Sequence, residues 1–152
     1  MSIRPEEALK AKALAASPVT SLIGFGSSAR WYANAAPARV SYPCVVADVN
    51  SVRPVNHLSG GGWAKTEIAL RIYGVEQSNS KSGYEVCQDV ADALRNAMNS
   101  TKATVTVGVE TCLPTIILQS QSDTPAGIVE GTDKPVFGIT QNWLVSMAQP
   151  ES

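Results

Sequence analysis

At 152 residues, 44% hydrophobic and 16% charged, the chain is long enough to bury one core without disulfide or metal staples. Twelve basic residues, dispersed from Arg4 to Lys134, stand against 13 acidic ones; a net charge of −1 with no basic run gives nucleic-acid binding by counterion release no footprint. Three cysteines at 44, 87 and 112, without CxxC spacing, read as reduced structural thiols, and there is no apolar leader or membrane-length apolar run, so one soluble intracellular domain over 1–152 is expected.

Pro5 suits a first helical turn, Glu6 and Glu7 complement the positive end of its dipole, and Leu9, Ala13 and Ala16 form a modest apolar stripe. Ser17-Pro18 ends that helix. Val19 to Ile23 is a second short apolar segment, and Gly24 to Ser28 is a flexible connection. Arg30 to Tyr32 marks a short strand or a turn ahead of Pro37. Val40 to Asn50 predicts a strand that is apolar on both sides, through Cys44, Val45, Val46, Ala47 and Val49, and therefore central, with Pro43 near its start. Val52 to Gly62 has no period and three consecutive glycines, which predicts a long mobile loop between two antiparallel strands.

The segment from Thr66 to Met98 is the most legible. Ile68, Leu70 and Ile72 fall on one face of a strand, and Lys65, Glu67, Ala69, Arg71 and Tyr73 on the other. After a polar loop from Gln77 to Lys81, Ser82 and Glu85 have the spacing of a capping box, each side chain meeting a backbone donor of the first turn. A helix is predicted from Gly83, with Val86, Cys87, Val90, Ala93, Leu94, Ala97 and Met98 on its apolar side. Ala103, Val105, Val107 and Val109 then alternate with polar residues as a strand, and Leu113 to Gln121 is another, with Cys112 read as a turn residue. Ser122 to Pro135 is a second irregular loop, and Val136 to Met147 closes the chain as a strand with Phe137, Ile139, Trp143, Val145 and Met147 on one face. This order lacks the βαβ alternation of a doubly wound sheet. It predicts an α+β fold, a mostly antiparallel sheet of about five strands with two main helices packed on one side.

Motifs for chemistry are weak. Ser59 to Thr66 (S-G-G-G-W-A-K-T) resembles a phosphate loop but lacks its anchor glycines and leads into a strand. Gly24 to Ala29 fits G-x-G-x-x-A, with Asp48 downstream, but only a short preceding strand is available and Pro37 curtails any following helix. His57 is the only histidine; a hydrolase would have to pair it with Ser59 or a cysteine, and no nucleophile elbow supplies one. One histidine with scattered cysteines argues against zinc, and no catalytic residue, cofactor or metal is expected. The wet face carrying Lys65, Glu67, Arg71 and Tyr73, with Trp63 at its mouth, reads either as a solvated face or as an interface.

Several stretches carry a family resemblance: Ser17 to Gly24 after the first helix, Arg30-Trp31-Tyr32 ahead of Ala36-Pro37, Tyr42 to Val46, the strand Glu67 to Tyr73 and the helix Tyr84 to Leu94. Over Leu9 to Met147 the chain resembles the tail terminator, or tail completion, family of tailed bacteriophages, which includes the tail-to-head joining proteins. The resemblance implies a non-enzymatic virion protein, assembled in the host cytoplasm. It would form a homo-oligomeric ring, typically a hexamer, that caps the tail tube and receives the head connector. Its expected partners are further copies of itself, the tail tube protein and the connector, with DNA only passing through the lumen and no membrane. Arg53, His57 and Trp63 in the first long loop, and Asp123, Glu130 and Lys134 in the second, are then expected at subunit or tail contacts, with Arg71 and Tyr73 on a ring interface. A hydrolase using His57 and a nucleotide-binding module using Gly24 to Ala29 remain as alternatives.

Overall fold

The structure is a computed structural model that describes residues 3–37, 40–56, 62–76, 81–99, 101–102, 104–124 and 135–148. In chain order it contains α1 (Pro5–Leu14), α2 (Ser17–Ile23), a 3₁₀ turn (Gly26–Ser28), β1 (Trp31–Ala33), β2 (Cys44–Asn56), β3 (Gly62–Gly74), α3 (Gly83–Met98), β4 (Thr101–Lys102), β5 (Val105–Val107), β6 (Glu110–Cys112), β7 (Thr115–Thr124) and β8 (Phe137–Ala148). The main sheet runs β1-β2-β3-β8-β7-β4, and β5 and β6 form a separate hairpin. The α+β class stands, with three refinements. The sheet is mixed because β1 runs parallel to β2; β1 and β4 extend it at its two edges; and Ser17-Pro18 starts a third, short helix instead of only stopping the first, since proline is tolerated in a first helical turn.

The sequence-level loop from Val52 to Gly62 is largely strand. Val52 through Asn56 pairs with Thr66 back to Gly62, so only 57–61 lie outside the described residues at that turn. A register shift between Val49 and Ser51 breaks the alternation there and hides the strand from a period-two reading. The strand expected to run on through Val109 instead reverses at Gly108, whose φ of 63° is the left-handed region that glycine enters freely. Val109 is consequently fully exposed, and Cys112 ends β6.

The helices cover one face of the sheet. Val45, Ile68, Leu70, Ile72, Ile116, Ile139, Trp143 and Val145 meet Leu9, Ala13, Val19, Ile23, Val90, Leu94 and Met98 in one buried cluster. Each fully buried large aliphatic side chain contributes about 1.5–3 kcal/mol relative to leaving it in water. Phe137, expected on this face, is 40% exposed, whereas Gln141, passed over in the sequence pattern, is buried within it. Gln141 Nε2 donates to Ala91 O at 2.9 Å and to Gln121 Oε1 at 3.0 Å, while its Oε1 accepts from Trp143 Nε1 at 3.2 Å. A buried amide with these partners carries little desolvation penalty and ties α3 to β8.

α3 begins as expected. Ser82 Oγ accepts from the Glu85 amide at 3.2 Å, but Glu85 receives the Ser82 hydroxyl at 3.3 Å and not its backbone N–H, so the box is completed on one side only. Lys81 pairs with Asp89 on the solvent side. Two glycines let the helix start lie against the sheet: a Cβ on Gly83 would stand 2.5 Å from the Phe137 ring, and one on Gly74 would stand 3.0 Å from both Cys87 Sγ and Gly83 O.

Candidate assembly surfaces

The face of the sheet away from the helices presents four aligned strands. Rows read from the pairing are Cys44, Tyr73, Gly138, Thr124; Val46, Arg71, Thr140, Ser122; Asp48, Ala69, Asn142, Ser120; Ser51, Glu67, Leu144, Ile117; and Arg53, Lys65, Ser146, Thr115. Hydroxyl and amide side chains dominate it. They bond across strands, Asn142 Nδ2 to Ser120 Oγ at 2.9 Å, Ser51 Oγ to Glu67 Oε2 at 3.1 Å, and Thr124 with Thr140. The surface is therefore wet and polar without being strongly charged.

Arg53, Lys65 and Glu67 carry charge toward one end of this face, and a hydrogen-bonded charged cluster centres on Arg71. Nε meets Asp48 Oδ2 at 2.8 Å, Nη1 donates to the Tyr73 hydroxyl at 3.2 Å, and Nη2 donates to Asn34 O at 2.9 Å. Burial opposes the charge on Arg71, and the Tyr73 and Asp48 oxygens outweigh that opposition and raise its pKa. Asn34 reaches this position because it turns with φ 68° directly after β1, a conformation asparagine tolerates, while its amide donates to Ala47 O. Arg30 performs a similar task at the sheet's base, donating from Nε to Pro43 O at 2.8 Å and from Nη2 to Leu22 O at 2.7 Å.

Of the residues expected at contacts, Arg71 and Tyr73 are brought together. Arg53 is exposed on the same face, farther along β2 and opposite Lys65. Asp123 is exposed near the end of β7, on the helix-facing side opposite Ile139, so it does not share that surface. Trp63 lies in β3 between Val55 and Ala148 and not in a loop, and Arg53 is likewise in a strand. His57, Ser59, Glu130 and Lys134 lie outside the described residues. Of the residues that complete the Arg71 cluster, Asp48 entered the sequence reading only as the acidic residue downstream of Gly24 to Ala29, and Asn34 not at all.

Among the described residues the chemical alternatives find no geometry, and His57 and Ser59, on which a hydrolase would rest, lie outside them. Gly24 to Ala29 follows a helix and leads into a strand, the reverse of the strand-to-helix order that presents amides to a pyrophosphate. Cys44 and Cys87 are fully buried, and burial pushes their thiols up to about 11 and about 12, away from nucleophilic character. Burial also raises Cys112. Among the described residues no group of three or more histidine, cysteine, aspartate or glutamate side chains is placed to hold a metal, and no helix is long and apolar enough to cross a membrane.

Comparison with solved structures finds a similar chain in the virion of a native gene transfer agent particle, at 12% identity and a TM-score of 0.60, covering 93% of this chain and 92% of that one. At that identity the likeness concerns the fold. No curated protein matches in sequence. The family model described as tail completion protein gp17 matches residues 7–111, a span from the first helix through β6 that includes the Arg71 cluster and α3. The chain belongs to the phage tail completion protein gp17 family and is a structural protein of the virion.

Proposed function

We propose that this protein forms a closed homo-oligomeric ring, a hexamer, that caps the completed tail tube and offers the surface on which the head connector docks. The observation that carries the reading is the membership in the tail completion family, joined to a structure in which Arg71 and Asp48 on the open face are engaged in holding the fold. A sheet with one face packed on helices and the other hydroxyl-rich suits a wall around a DNA passage, because uncharged hydroxyls give a polyanion neither strong attraction nor repulsion. Closed rings repeat one heterologous contact, so two different surfaces of each protomer must be complementary. Arg53, Trp63, Arg71, Tyr73 and Asp123 are the described residues proposed at such contacts, with His57, Glu130 and Lys134 beside them in sequence. No reaction is assigned to the chain.

Removing the protein from a producing phage tests the reading. Filled heads and separate tails are expected to accumulate, and adding purified protein to the lysate joins them. Particles that join normally without the protein would overturn it.

A further inference from the structure

Strand pairing gathers basic residues that stand far apart in the sequence. Arg53 of β2 is level with Lys65 of β3, Lys65 with Ser146 of β8, Ser146 with Thr115 of β7, and Thr115 with Lys102 of β4. A single row thus crosses the open face, and every residue type in it carries a hydrogen-bond donor. It contains no carboxylate and no apolar residue. Glu67, one row inward, accepts from Ser51 and offsets one cation, so this end of the face holds three cations against one carboxylate. Farther along the same face the one cation, Arg71, is matched by Asp48 among hydroxyls and amides. The surplus is therefore local, in a chain whose net charge is −1.

Arg53 and Lys65 are both exposed and directly opposite each other, so their Cβ atoms are ~5 Å apart, where like charges destabilise a strand pair. Arg71, Lys81 and Arg95 are each paired with an aspartate, whereas neither Arg53 nor Lys65 meets a carboxylate among the described residues. An anion laid over the pair removes the repulsion. Lys102 stands three strands beyond Lys65, ~14 Å away, so the row suits an extended polyanion better than one small ion. An acidic protein surface fits less well, because the core of a protein interface is apolar and this row has no apolar member. Phosphate oxygens accept from arginine, lysine, serine and threonine alike.

Resting on the ring reading above, with the open face toward the passage, we propose that the row of Arg53, Lys65, Ser146, Thr115 and Lys102 contacts the phosphate backbone of double-stranded DNA. The contact is independent of base sequence, since a row of donors across a sheet face meets phosphates and reads no base edge. Repetition around the ring sets one such row per protomer against the duplex, at one end of the strands. The hydroxyl-covered remainder of the face lets the duplex slide. Each phosphate neutralised releases counterions, so the hold weakens as salt rises. Arg53 stands on β2 beyond the reach of β1 and so borders the neighbouring protomer as well as the passage, which keeps its place at a subunit contact.

Photo-crosslinking in assembled particles tests this. A benzophenone side chain in place of Ser146 leaves all three cations in the row and is expected to crosslink to the packaged DNA of filled, joined particles. The same probe in place of Tyr84, which is exposed on α3, is expected to give no DNA adduct. R53S/K65S extends the hydroxyl surface; it is expected to join heads to tails at wild-type yield, to keep or raise the urea midpoint, and to lower the Ser146 adduct several-fold. With purified rings and a DNA duplex, the slope of log affinity against log salt is expected to fall in magnitude by about 2 per engaged protomer in R53S/K65S, from two phosphate contacts at ~0.9 each. If the bulky probe blocks assembly, this titration decides alone, and an unchanged slope overturns the proposal. A Ser146 probe that reaches only protein, an equal DNA adduct from Tyr84, or an adduct undiminished in R53S/K65S overturns the DNA contact and leaves the ring reading standing. So does an R53S/K65S protein that folds but no longer joins heads to tails, which assigns the row to a protein partner. Wild-type protein that forms no ring, alone or on tail tubes, overturns both.

Discussion

Arg71 is one side chain with three partners on three different segments, Asp48 in β2, Tyr73 in β3 and the Asn34 carbonyl after β1. It lies over an otherwise wet face where Cys44 and Val46 are nevertheless buried. Its side chain is about a third exposed, so solvent screening reduces each interaction. Arg71→Ala is expected to lower stability by about 1–2 kcal/mol, read as a lower urea midpoint at unchanged slope. Gln141→Leu keeps the volume but orphans the buried Trp143 N–H, and about 1–3 kcal/mol of destabilisation is expected by the same measurement. The buried thiols set a pH dependence. Burial raises Cys44 to about 11 and Cys87 to about 12 from an ordinary 9.0, so the unfolded chain loses these protons first. Their contribution is intact below pH 9 and is lost as pH rises from 9 toward 11 and 12, at up to ~1.4 kcal/mol per pH unit for each thiol. Urea melts from pH 8 to 10.5 are expected to show this fall, and the C44A/C87A variant to flatten it; equal slopes in the two proteins would refute the assignment. Neither Arg71's partners nor Gln141's burial was legible in the sequence, because both depend on which strands become neighbours.

At the scale of elements, what was legible followed from local pattern. α3 was readable because its apolar spacing and its cap lie within a few residues, and Ser82→Ala is expected to cost about 1 kcal/mol through the lost N-cap bond. The inner face of β3 was readable because strict alternation survives from Ile68 to Ile72. β2 beyond Val49 was not, since the register shift there breaks the period and the glycines at 60–62 resemble a loop. The β5–β6 hairpin was hidden by valines whose spacing continues through the turn at Gly108. α1 is amphipathic only weakly and α2 is two turns long, so Ser17-Pro18 read as a stop where it is also a start. The contact between β3 and α3 makes its own demand: Gly74→Ala would press a methyl against Cys87 Sγ and the rigid Gly83 carbonyl, and a loss of about 1–3 kcal/mol is expected in thermal melts. A wild-type melting temperature in that variant would show that the helix start is free to move.

At the scale of the whole molecule, the family assignment and the sheet make complementary statements. Membership in the tail completion family places the chain in the virion, and the structure shows one face of the sheet packed and the other polar. The described residues expected at contacts divide by face, with Arg53 exposed on the polar side and Asp123 on the helix-facing side, while Arg71 and Tyr73 hold β1 through β3 together. Strand pairing decided these placements, which is why charge and aromatic content alone put Arg53, Trp63 and Asp123 in loops. The account's central claim is that assembly is this protein's work. Electron microscopy of purified protein mixed with completed tail tubes tests it most directly: a closed ring of six copies, about 96 kDa from protomers of 16.0 kDa, is predicted at one end of each tube. Tube ends that stay bare at saturating protein would contradict it.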